Sequence, residues 1–141
     1  MPDSRPSARL RTQVTERAKN CCEYCLSQAR FAPEVFSVEH IVPRAKKGLT
    51  SLKNLALACQ GCNNHKYTHT EAIDPVSGNI VPIFNPRQQN WADHFAWTED
   101  FLHIVGLTPT GRATIEQLQL NRDGVVNLRR VLHLAGEHPP E

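Results

Sequence analysis

The sequence lacks a long apolar run, internal repeats and low-complexity segments. No apolar stretch approaches the roughly 20 residues that a membrane-spanning helix needs, so we expect no membrane partner. The N-terminal segment MPDSRPSARLRTQ has no apolar stretch after its charges, which is not the pattern of a secretory signal. We therefore expect a cytoplasmic protein whose thiols are reduced.

Composition places the chain among ordinary folded proteins. Its 141 residues are 40% hydrophobic and 21% charged, which predicts one domain with a modest core. The net charge of +2 is unevenly distributed, because residues 1–70 carry 11 Lys and Arg against 5 Asp and Glu, whereas residues 71–141 carry 5 against 9. The basic half suits a polyanionic partner, and an unevenly charged solvated surface explains the same counts equally well.

The five cysteines all lie between positions 21 and 62. Four form two C-x2-C pairs, Cys22 with Cys25 and Cys59 with Cys62, and 33 residues separate the pairs. In a reducing compartment, two such pairs predict a tetrahedral structural zinc site rather than a redox pair or ordinary buried cysteines. Cys21 is left over, and it either competes with Cys22 for the metal or packs as a small apolar side chain.

The segment that contains the cysteine pairs has a clear order of predicted elements. Apolar residues at helical spacing predict a helix over residues 8–20. Residues 35–42 are β-branched and aromatic and predict a strand that Pro43 stops. A polar loop follows, then a short strand over residues 55–59, and a helix can begin at residue 62. The order is helix, strand, loop, strand, helix.

The C-terminal half predicts a mixture of strands and helices. Residues 73–90 contain three prolines and a glycine, so we expect an irregular connector with one short strand. WADHFAW and FLHIVGLTPTG resemble strands, Thr114 followed by Gln117 predicts a helix start, and Asp123 is the expected N-cap of a last helix. The expected core residues of this half are Trp91, Phe95, Trp97, Phe101, Leu118 and Leu120.

Several polar residues occur in an order that is specific as a set. An acid and a histidine are adjacent at the end of the first predicted strand (Glu39–His40), Asn54 begins the second strand, and Asn63 directly follows the last cysteine, with Lys66 three residues on. This pattern resembles the HNH nucleases of the ββα-metal (His-Me finger) superfamily over about residues 20 to 70.

The resemblance implies a fold. It is α+β, with a small ββα-metal (HNH) nuclease core and a four-cysteine zinc site in residues 1–72, and a C-terminal α/β extension in residues 73–141 packed on that core.

The resemblance also implies roles by position. His40 would be the general base, because an imidazole with a pKa near 6.5 can accept a proton at neutral pH. Glu39 and Asn63 would bind one catalytic Mg²⁺ or Mn²⁺ through oxygen atoms, although Glu39 stands where the family more often has Asp. Asn54 would brace the loop and help to orient His40. Asn63 is also a natural helix cap, and Asn64 and His65 are the alternative ligands in a shifted register.

The sequence thus predicts a metal-dependent endonuclease that cuts DNA phosphodiester bonds by a one-metal mechanism. A zinc-stabilised nucleic-acid-binding module without catalysis and an RNA-cleaving nuclease of the same fold stay open as alternatives. If the substrate is a nucleic acid, basic side chains of the first half are expected to contact phosphates. These residues are Arg44, Lys46, Lys47, Lys53 and Lys66, and the C-terminal residues Arg112, Arg122, Arg129 and Arg130 would extend the same face.

Overall fold

Short antiparallel sheets and helices alternate along the chain. A computed structural model describes residues 5–140 and shows an α+β fold, as predicted. The described helices are α1 (Ala8–Arg17), α2 (Gln60–Lys66), α3 (Trp91–His94), α4 (Pro109–Leu118) and α5 (Asp123–Leu134). The strands are β1 (Ser37–His40), β2 (Leu55–Ala58), β3 (Glu71–Ile73), β4 (Ile80–Pro82), β5 (Phe95–Trp97) and β6 (Ile104–Gly106). Among these helices, none has both the length and the apolar character needed to cross a bilayer.

A ββα unit occupies the first half of the chain. β1 pairs with β2 in an antiparallel register that sets Ser37 opposite Ala58 and His40 opposite Leu55. All four residues of β2 are buried, since elements cover the hairpin on more than one side. α1 packs against both strands and buries Val14. The predicted order of helix, strand, loop, strand and helix is confirmed.

Both helices of this unit differ from the predicted bounds for local reasons. α1 ends at Arg17 rather than at residue 20, because Lys19 and Asn20 adopt positive φ angles of 54° and 57°, which a helix does not allow. α2 begins at Gln60 rather than at Cys62. Cys59 is its N-cap, and the Cys59 sulfur accepts a hydrogen bond from the Cys62 amide at 3.5 Å.

The C-terminal half contains two hairpins and three helices. The connector after residue 72 is more regular than predicted, because β3 and β4 pair as a hairpin that turns through Gly78 at a φ of 75°. The segment expected as one strand from residue 91 divides into the helical turn α3 and strand β5, which pairs with β6.

The predicted helix start at Thr114 is wrong. α4 begins at Pro109 and is capped by Thr108, whose hydroxyl accepts from the Gly111 amide at 3.0 Å. Proline at the first helical position fits, because its missing N–H is not needed there. Thr114 lies within α4 and is buried, and its hydroxyl oxygen accepts a hydrogen bond from the Phe84 amide at 2.9 Å. Asp123 starts α5 but lies in its first turn, and Arg122 occupies the cap position.

One apolar cluster joins the two halves of the chain. Phe84, Phe95, Ile104, Leu118 and Leu120 belong to the same buried cluster as Val14 and the residues of β2. Of the expected core residues, Phe95, Leu118 and Leu120 are buried, whereas Trp91, Trp97 and Phe101 are partly exposed. The Trp91 indole nitrogen donates to the Tyr24 carbonyl at 2.9 Å, which links α3 to the cysteine-rich segment. The predicted boundary at residue 72, between the nuclease core and the C-terminal extension, stays a prediction.

Candidate active site

The four paired cysteines converge on one point. The sulfurs of Cys22, Cys25, Cys59 and Cys62 lie within 4.8 Å of one another, all four residues are buried, and all are free thiols. The Cys25 and Cys59 sulfurs are 3.6 Å apart. Zn–S bonds of about 2.3 Å place tetrahedral sulfurs about 3.8 Å apart, so this spacing fits a bound zinc ion. Cys21 lies outside the cluster, with its thiol 3.5 Å from the Lys19 carbonyl.

An arginine from the C-terminal half covers two of these sulfurs. The Arg122 guanidinium donates to the Cys59 sulfur at 3.3 Å and to the Cys62 sulfur at 3.6 Å. Burial lowers the pKa of Arg122, but the negative charge of Cys62 and the neighbouring cysteines outweighs this effect, so that the pKa is raised overall. Gly61 allows this approach, since a Cβ there would lie 2.4 Å from the Arg122 guanidinium. A zinc ion held by four thiolates would carry a net negative charge, which the Arg122 guanidinium would partly neutralise.

Glu39 and Lys66 form a buried ion pair. The Glu39 carboxylate accepts from the Lys66 ammonium at 3.0 Å and from the Tyr24 hydroxyl, and Lys66 also donates to the Ile41 carbonyl at 2.9 Å. Burial raises the pKa of Glu39, while Lys66 and Tyr24 stabilise the charged form. Glu39 therefore holds β1 to α2 and to the first cysteine pair.

This ion pair bears on two predictions, the phosphate contact of Lys66 and the metal ligand Glu39. Lys66 is 1% exposed, so the expectation that it contacts a phosphate at the surface is wrong. Glu39, expected to face a catalytic metal, is 7% exposed and has both carboxylate oxygens engaged. No local pattern marks the pairing, because the two residues are far apart along the chain and each alone is typical of a solvated surface charge.

His40 ends β1 with its ring half-buried. Its Nε2 atom lies 2.8 Å from the Thr50 hydroxyl, which holds the ring in one orientation. Burial lowers the pKa of His40, and the nearby positive charges of Arg44 and Lys66 lower it further. This direction favours the neutral ring, which is the form that can accept a proton.

Asn54 ties together the loop that carries Thr50. Its side-chain oxygen accepts from the Val42 amide at 2.9 Å, and its side-chain nitrogen donates to the carbonyls of Val42 at 3.0 Å and Leu49 at 2.9 Å. The loop is tight at this point, because a Cβ on Gly48 would lie 1.7 Å from the Val42 carbonyl oxygen. Asn54 thus braces the loop that carries Thr50, the residue that contacts His40, and its role in orienting His40 stays a prediction.

The remaining predicted residues lie at different places. Asn63 is half-buried in α2, one residue after Cys62. The side chains of the β1–β2 loop that were expected to bind nucleic acid are exposed, and their role stays a prediction: Arg44, Lys46, Lys47 and Lys53.

Three of the C-terminal arginines do not form the expected basic face. Arg112 pairs with the buried Asp74 at 2.9 Å, and Arg122 contacts the cysteine sulfurs. Arg129 is 3% exposed and donates to the Leu120 carbonyl at 2.7 Å. These three arginines form contacts within the protein, so the number of arginines in the sequence overestimates the positive charge that is available at the surface.

Replacing Arg122 tests its effect on the metal site. We expect Arg122→Gln to lower zinc affinity by about 10- to 100-fold, because the thiolates lose a neutralising donor. Zinc content by elemental analysis and competition with a chromogenic chelator measure this change. Arg130→Gln is the matched control, since Arg130 is exposed on α5. An Arg122→Gln protein that keeps its zinc as tightly as the control contradicts the assignment.

The buried ion pair makes a separate prediction for stability. Lys66→Met leaves the Glu39 carboxylate buried without its partner, so we expect the free energy of unfolding to fall by about 3–5 kcal/mol. Adding Glu39→Gln to Lys66→Met should recover much of that loss, because the unpaired charge is removed. Urea denaturation of the single and double variants measures both values. Equal stability of Lys66→Met and the parent protein would show that the pair is not buried in solution.

Comparison with known proteins agrees with the geometry of the first half. Residues 22–69 match the sequence model of the HNH endonuclease family. The chain is 25% identical over 115 residues to the Septu protein PtuB of Bacillus thuringiensis, an alignment that covers 80% of this chain and 41% of that protein. The chain thus spans about two fifths of the length of this curated relative. No solved structure matches significantly. With its ββα order and four-cysteine cluster, the segment of residues 22–69 belongs to the HNH endonuclease family.

Proposed function

We propose that this chain is a metal-dependent endonuclease that hydrolyses phosphodiester bonds of DNA. The family match supports nuclease-type activity. The observation that carries the proposal is the ring of His40, which Thr50 holds at the end of β1 inside the ββα unit that the match covers. DNA rather than RNA as the substrate is the proposed choice, and the experiment below includes both.

His40 is the proposed general base. When its Nε2–H donates to the Thr50 hydroxyl, Nδ1 carries the lone pair that accepts a proton from the attacking water. The water oxygen then forms a bond to phosphorus while the bond to the leaving oxygen breaks. Thr50 is held by the loop that Asn54 braces, so Asn54 is a positioning residue in this scheme.

The proposed cofactor of the reaction is Mg²⁺ or Mn²⁺. When bound, such a cation supplies positive charge to the phosphate oxygens and to the leaving oxygen. Asn63 offers an amide oxygen on α2, which is a suitable hard donor. Glu39 fits the role of a metal ligand less well than Asn63, because Lys66 already neutralises its buried carboxylate. A carboxylate has about four acceptor positions, however, so the two observed hydrogen bonds do not exhaust those of Glu39.

Zinc is proposed as the structural metal that holds the site together. The four thiolates anchor both the segment before β1 and the start of α2. Soft sulfur donors select zinc, whereas the oxygen donors of the proposed reaction site select Mg²⁺ or Mn²⁺. The two kinds of metal are therefore separated by ligand chemistry.

Replacing the base tests the proposed activity. We expect His40→Ala to lose nicking of supercoiled plasmid by about 10²- to 10⁴-fold, the usual contribution of a general base. The assay includes single-stranded DNA and RNA, each with Mg²⁺, Mn²⁺ or EDTA. His69→Ala is the control, because His69 is exposed beyond the end of α2. Zinc content and thermal midpoint should match the parent protein. If His40→Ala cuts as fast as the parent, His40 is not the base.

A change of ligand type tests Asn63. Histidine prefers softer transition metals than an amide oxygen does, so Asn63→His should shift activity from Mg²⁺ toward Mn²⁺, Co²⁺ or Ni²⁺. Asn64→His is the matched control, because Asn64 is the exposed neighbour on α2. Plasmid nicking across a series of divalent chlorides gives the metal profile of each variant. A profile that is unchanged in Asn63→His, or that shifts only in Asn64→His, removes Asn63 from the metal site.

A further inference from the structure

A groove of about 630 Å³ lies beside the unpaired edge of β1. Within residues 5–140, β1 pairs with β2 alone, so its other edge is not covered by a strand. Three elements line this space, which we call the edge groove: α1 with the segment before it, β1, and α2. Its polar lining residues are Arg5, Arg11, Ser37, Gln60 and Asn63.

Among the described residues, the lining of the edge groove carries positive charge and contains no acidic side chain. Arg11 is exposed on α1 and can reach a ligand without disturbing the core. Gln60 forms a fixed wall, because its side-chain nitrogen donates to the Val35 carbonyl at 2.7 Å and to the Ser37 hydroxyl at 2.9 Å. Guanidinium, amide and hydroxyl groups on a concave surface are the groups that proteins use to hold phosphate oxygens.

The edge groove also leads toward the proposed catalytic base. Ser37 and Val38 line it, and His40 follows two residues later on the same strand, about 7 Å further along. Asn63 borders the groove from α2 and is the proposed ligand of the catalytic cation. A nucleic-acid strand that places a phosphate near His40 and follows β1 toward Ser37 would therefore pass the groove that Arg11 lines.

We propose that the edge groove binds the phosphodiester backbone flanking the scissile phosphate, with Arg11 as a phosphate contact. The proposal rests on the proposed function in taking a nucleic acid as the ligand. It adds a binding residue on α1, outside the matched residues 22–69. Because a phosphate contact carries no base information, Arg11 contributes to affinity and not to sequence preference.

Salt dependence of binding tests Arg11 directly. The probes are a fluorescent DNA duplex, one of its strands, and RNA of the same sequence, and the protein carries His40→Ala so that cleavage does not interfere. Against the duplex, Arg11→Gln should weaken binding and reduce the slope of log affinity against log salt by about 1, the value for one phosphate contact. The loss should be equal for duplexes of unrelated sequence. Arg11→Lys should keep the slope.

Arg9 supplies the matched control on the same helix. It is exposed, lies two residues from Arg11 and is absent from the groove lining, so Arg9→Gln should keep the parent slope. Equal slopes for Arg11→Gln and Arg9→Gln overturn the proposal, as does a parent protein that binds none of the three probes. Plasmid cleavage by the unaltered protein is measured separately. Arg11-dependent binding without any cleavage would keep the groove and reject the endonuclease.

Discussion

The convergence of four sulfurs is the constraint on which the rest of the structure depends. It joins residues 22–25 to residues 59–62, which are separated along the chain by the whole β1–β2 hairpin. The hairpin strands have only four residues each, too few to be stable in isolation. A metal held by the four cysteines would supply the missing stability, because the free energy of metal binding becomes free energy of folding when the ligands come together only in the folded state. Arg122 extends this constraint to the C-terminal half.

The buried carboxylate of Glu39 connects the same parts of the chain through hydrogen bonds and an ion pair. Tyr24 lies between two cysteines of the first pair, and Lys66 lies one turn after the last cysteine, yet both bind the carboxylate of Glu39 on β1. The sulfurs thus join two segments, residues 22–25 and the start of α2, and the hydrogen bonds of Glu39 attach β1 to both of them. Because a buried ion pair is weak support for net stability, its main effect here is to fix the register of α2 against β1. That register sets which α2 side chains face the strand that carries His40.

Local patterns in the sequence predicted the local parts of the fold. The two C-x2-C pairs, Pro43 after β1 and the polar loop before Asn54 are each visible within a few residues, and the zinc cluster and the ββα order follow from them. The partners of Lys66 and Arg122 depend instead on contacts across 27 and 60 residues or more, which no short pattern encodes. Isolated charges were therefore assigned to the surface by default. The Thr114 prediction failed for a different, local reason, since Thr108 and Pro109 form a stronger helix start a few residues earlier.

The periodicity of α2 divides its side chains between the core and the open side of the unit. Cys62 and Lys66 are four residues apart, so they share one face, and both are almost fully buried. Gln60 and Asn63 are three residues apart on another face, and both line the edge groove. Fixing Cys62 in the metal cluster and Lys66 on Glu39 therefore also fixes the direction of Asn63. A one-residue shift of α2 that moved Asn63 to the position of Cys62 would bury the amide and remove a sulfur from the cluster, and the contacts of Cys62 and Lys66 both oppose it.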